Sequence, residues 1–81
     1  MNPQSSHQKR ISLVAETFFT SVMEGKNPLD ETFSLRIKFP QITHSELQKG
    51  RNAGARKLRA HLISEGRSDK EAQKVLDALG I

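Results

Sequence analysis

Apolar and polar side chains alternate without a break along Thr32-Phe33-Ser34-Leu35-Arg36-Ile37-Lys38-Phe39. A period of two marks a half-buried strand, with Phe33, Leu35, Ile37 and Phe39 on one face, and Pro40 ends the run. Such a strand constrains everything around it, because its backbone N–H and C=O groups need a partner and an isolated edge is a liability. No other segment alternates comparably. The economical solution is the same strand of a second subunit, paired about a two-fold axis. In that ribbon the apolar set faces the helices, while Thr32, Ser34, Arg36 and Lys38 face outward. The alternatives are an extended stretch lying across the helices, or a short hairpin with residues near Leu29.

Self-association also follows from size. At 81 residues the chain buries only roughly 60 to 65% of the surface its unfolded form exposes. It has no cysteine to cross-link a small core, which also excludes a disulfide framework and thiolate metal sites. No apolar run approaches the roughly 20 residues of a membrane span. The opening Met1-Asn2-Pro3-Gln4-Ser5-Ser6-His7 has no apolar segment behind a basic one, so no secretory signal is expected and a cytoplasmic location is.

The rest of the chain reads as helix. Residues 1–8 form a polar arm with nothing apolar to bury, expected to be mobile. Ile11, Val14, Ala15, Phe18 and Val22, with Phe19 on the flank, recur at helical spacing over about residues 9–24, and Gly25-Lys26-Asn27-Pro28 supplies a stop. Thr43 and Glu46 stand at capping-box spacing, and Ile42 and Leu47 stand where a hydrophobic staple would close, so a helix should start at His44. Gly50 and Gly54 each cost about 1 kcal/mol in a helix interior. A flexible joint near Lys49-Gly50-Arg51-Asn52 is the expected meaning; close approach by another backbone, a phosphate or a neighbouring helix is the alternative. Leu58, Leu62 and Ile63 carry an apolar side onward to Gly66. Ser68 and Glu71 form a second capping box, opening a helix with Ala72, Val75, Leu76 and Leu79 that Gly80 closes.

Charge is uneven. Residues 36–67 hold Arg36, Lys38, Lys49, Arg51, Arg56, Lys57, Arg59 and Arg67 against Glu46 and Glu65, a local charge of +6 in a chain whose total is +4. A basic cluster of this kind is the electrostatic footprint of a surface that meets polyanions, since each neutralised phosphate releases condensed counterions.

A strand Phe33 to Pro40, then helix, then Gly66-Arg67-Ser68 leading into Glu71-Ala72 and a closing Val75, Leu76 and Leu79, resembles the ribbon-helix-helix repressors of the Arc and MetJ type. That resemblance covers about 50 residues and implies an obligate dimer that inserts a two-stranded ribbon into the DNA major groove. It implies base reading by Ser34 and Arg36, with Lys38 extending the face, and a phosphate contact at Ser68. The stretch from Pro40 to Gly66 departs from the family, being longer than its first helix by several turns, and residues 9–24 add a helix the family does not need.

The expected fold is therefore mainly α, with three or four short helices and one β-strand paired across a ribbon-helix-helix-like dimer; residues 9–81 form a single helical domain. The expected function is a sequence-specific, repressor-like DNA-binding regulator acting as a homodimer on double-stranded DNA, with no cofactor and no membrane. Its nucleic-acid contacts are Ser34, Arg36, Lys38, Lys49, Arg51, Arg56, Lys57, Arg59, Arg67 and Ser68. A helix-turn-helix over Ala55 to Leu79 is the rival within DNA binding. Outside it stand RNA binding by the 49–59 stretch and a protein adaptor docking through Phe18 and Phe19. Catalysis is not expected. His7, His44 and His61 lack zinc-ligand spacing, the serines lack an elbow motif, and Gly54 is followed by Ala55-Arg56 rather than by a phosphate-loop Lys.

Overall fold

The computed structural model describes residues 3–80, with side chains from Ser6 onward. Four helices follow one another: α1 (Pro3–Met23), α2 (Pro28–Lys38), α3 (His44–Ser64) and α4 (Asp69–Ala78). The helix expected over 9–24 begins at Pro3, so residues 3–8 of the segment read as a polar arm continue α1; Met1 and Asn2 lie outside the described residues.

The expected strand is overturned. Residues 32–38 are the body of α2, and no strand occurs among the described residues, so the intersubunit ribbon is absent as well. Local chemistry explains the outcome. Asn27 caps the helix, its Oδ1 accepting from the N–H groups of Leu29 at 2.9 Å and Asp30 at 3.2 Å, and Pro28 occupies the first turn, where a missing N–H costs nothing. Asp30 and Glu31 sit in the first turn and Arg36 and Lys38 in the last, each end matching the helix dipole. A helix also satisfies its own backbone without a second chain, the need that a lone strand could not meet. The alternation is itself compatible with a helix over so short a run, because Phe33 and Ile37 are four residues apart and share one side.

α3 is continuous, and Gly50 and Gly54 are not joints. α1 and α3 run side by side in the same direction: Glu46 meets Arg10, Gly50 meets Ile11 and Val14, and Gly54 meets Ala15 and Phe18. A Cβ on Gly50 would come within 2.9 Å of the Ile11 carbonyl oxygen, and one on Gly54 within 3.0 Å of that of Ala15. The two glycines let the helices touch backbone to backbone.

Both expected capping boxes are formed, Thr43 with Glu46 and Ser68 with Glu71. Ile42 and Leu47, the expected staple pair, are both buried against Val14, with Leu35 of α2 packed on them. The larger cluster joins Phe18 to Ala55, Leu58 and Leu62 of α3 and to Ala72 and Leu76 of α4. α1 and α3 end alike. The N–H groups of Lys26 and Arg67 reach back to the carbonyls of Ser21 and Leu62, while Gly25 and Gly66 take φ of +74° and +96°. That left-handed ending reverses the chain with its carbonyls bonded.

Candidate nucleic-acid interface

The surface of α3 follows from which of its residues the core takes. Leu47, Gly50, Gly54, Ala55, Leu58 and Leu62 are buried, which at 100° per residue leaves Ser45, Lys49, Asn52, Arg56 and Ile63 on the opposite, exposed side. Lys49 and Arg56 stand two turns apart on that stripe.

α3 contains one acidic residue, Glu46, and the fold removes it from the surface. Its side chain is 2% exposed and accepts from Nε of Arg10 at 2.8 Å, from the Thr43 N–H at 2.9 Å and from Nδ1 of His7 at 2.6 Å. The Arg10 terminal nitrogen lies 2.8 Å from the second carboxylate oxygen, completing a fork. The Arg10 hydrogen bond, with those of Thr43 and His7, outweighs the cost of burial and holds the Glu46 carboxyl at about 2, below its ordinary 4.5. The exposed surface of α3 is consequently free of carboxylates while keeping Lys49 and Arg56.

The ten residues expected at the interface have separate fates. Ser34 and Lys38 are exposed on α2 and Arg36 is half-buried there; without a ribbon, none has the base-reading position that the resemblance implied. Arg51 is turned inward. Its Nε donates to Thr32 Oγ1 and its Nη2 to the Leu29 carbonyl, both at 2.9 Å, while Thr32 Oγ1 donates onward to the Pro28 carbonyl at 2.7 Å. These bonds tie α2 to α3. Lys57 pairs with Glu16 of α1 at 2.6 Å and lies 4.9 Å over the Phe19 ring. Arg59 bridges to α4, donating to Gln73 at 3.2 Å and facing Asp69 at 3.5 Å. Arg67 is exposed in the turn between α3 and α4. The Ser68 side chain is taken up as the α4 cap, accepting from the Glu71 N–H at 3.2 Å, and the Ser68 N–H is directed at the Glu71 carboxylate. The backbone phosphate contact implied for Ser68 therefore lacks free donors at that residue.

Sequence reading passed over Lys70 and Lys74, which stand one turn apart on the exposed side of α4, opposite buried Ala72 and Leu76. The signal was their offset of two from that apolar pair. His61 meets Phe19 edge-on with ring centroids 5.5 Å apart. Of the pair expected to dock a protein, Phe18 is fully buried and Phe19 is partly buried, packed against the core.

No group of three His, Cys, Asp or Glu able to hold a metal ion occurs among the described residues, and none of their helices is long and apolar enough to cross a membrane. No family model, curated protein or solved structure matches the chain.

Proposed function

We propose that this protein is a small DNA-binding regulator, working in the cytoplasm, that holds duplex DNA chiefly by phosphate contacts from the outer side of α3. The observation that carries this reading is the carboxylate-free exposed surface of α3: Lys49 and Arg56 point outward, and the only acid of the helix, Glu46, is buried and bound by Arg10. A cationic helix side without interleaved acids lowers the potential energy of any approaching phosphate, and release of its condensed counterions supplies the affinity. Arg67 in the adjoining turn and Lys70 and Lys74 on α4 add cations at the same end of the chain. α4, following α3 after the four-residue turn Glu65 to Ser68, takes over the reading role that the ribbon cannot fill.

The test is a binding titration of the full chain against duplex DNA, single-stranded DNA and RNA at two salt concentrations, with Lys49→Gln/Arg56→Gln beside the wild type. Duplex binding that weakens with salt and is largely lost in the double variant supports the reading. Preference for RNA, or duplex affinity unchanged in a folded double variant, overturns it.

A further inference from the structure

α2 buries a threonine and displays a phenylalanine and an isoleucine. Thr32 is 0% exposed, whereas Phe33 is 54% and Ile37 70% exposed. This orientation is fixed from three sides: Asn27 caps the helix, Arg51 grips Thr32 and the Leu29 carbonyl, and Leu35 packs on Val14, Ile42 and Leu47. A rotation by one residue about the axis would bury Phe33 at the expense of those bonds, so the apolar stripe is held outward by the fold itself.

The stripe reads Asp30, Phe33, Ser34, Ile37, Lys38, all exposed, with an acid at its start and a base at its end. That order is complementary to its own reverse. Laid antiparallel on a second α2 about a two-fold axis through Ser34, each Asp30 comes level with Lys38 of the second copy, and each Ile37 falls between the levels of Asp30 and Phe33 of the other, about 3 Å along the axis from Phe33. The serine at the crossing is small enough for the helices to approach. A parallel pairing would instead set Asp30 on Asp30 and Lys38 on Lys38.

We propose that a second copy of this chain covers α2, giving an isologous dimer built on the antiparallel α2 pair. The inference does not rest on nucleic-acid binding and can stand or fall apart from it. It also supplies apolar contact that the small core lacks, since the buried apolar side chains among the described residues are few and include the alanines 55 and 72.

The experiment is light scattering and sedimentation equilibrium on the full chain from low micromolar to near-millimolar concentration, with helix content followed by circular dichroism. Wild type should pass from monomer to dimer over that range. Ile37→Lys, at a site 70% exposed, should keep its helix content and weaken dimerisation by about tenfold or more. Asp30→Lys and Lys38→Asp should each weaken it, and the double reversal, which re-pairs opposite charges, should recover most of the loss. A wild-type monomer throughout, or a dimer indifferent to Ile37→Lys, overturns the proposal. Failure of the double reversal to recover what the single reversals lose overturns the antiparallel arrangement.

Discussion

Gly50 lies so close to Val14 that a methyl group on it would come within 2.5 Å of Val14 Cγ1 and 2.9 Å of the Ile11 carbonyl oxygen. Glycine in a helix interior is ordinarily a defect, and Gly→Ala on an exposed side gains about 1 kcal/mol. Here the sign inverts. The carbonyl belongs to the α1 backbone and cannot rotate away, so the two long helices must separate. Gly50→Ala and Gly54→Ala are each expected to destabilise the fold by about 1–3 kcal/mol, read as a lower urea midpoint with unchanged slope.

Glu46 makes the fold acid-sensitive. Its carboxyl is held at about 2 by Arg10, Thr43 and His7, against 4.5 ordinarily. The folded state therefore favours the ionised form, and the stability this contributes is complete above pH 4.5, then lost as pH falls toward 2. Glu46→Gln should destabilise the fold at neutral pH, because half-exposed Arg10 and His7 lose the anionic partner they share. The gap between variant and wild type should close through that acid window in a series of denaturation midpoints.

Arg51 and Arg56 carry the same charge five residues apart and should behave differently. Arg51→Met removes the guanidinium that donates to buried Thr32 and to the Leu29 carbonyl, for an expected loss of about 1–3 kcal/mol and faster amide exchange along α2. Arg56→Met, on the exposed stripe, should change stability by no more than about 0.5 kcal/mol while weakening duplex binding.

If Lys49 and Arg56 each neutralise one phosphate, removing both should lower the slope of log affinity against log salt by about 2, at roughly 0.9 per contact. The decrease should be the same on unrelated duplex sequences, because phosphate contacts carry no base information. Arg36→Ala should leave the slope unchanged, since Arg36 is half-buried on α2. Fluorescence anisotropy across a salt series measures all three.

What the amino-acid sequence determined by itself is whatever is settled within one turn of backbone. Thr43 with Glu46, Ser68 with Glu71, the Ile42 and Leu47 pair, and the stops at Gly25 and Gly66 all occur where their spacing places them, because a cap or a left-handed glycine needs only its near neighbours. The cationic character of the middle of the chain was equally legible. Tertiary contact decided the rest. A run of eight alternating residues fits either period, and Thr32 to Lys38 became helix because Asn27 and Pro28 start one there and Arg51 and Leu35 hold it. Gly50 and Gly54 read as joints until a second helix lay against them. Of the α3 cations, Arg51 was claimed by a buried hydroxyl and a carbonyl, Lys57 by Glu16 and Arg59 by Asp69, leaving Lys49 and Arg56 outward. Partners distant in sequence choose among like charges, and only the packed helices fix which partners are near.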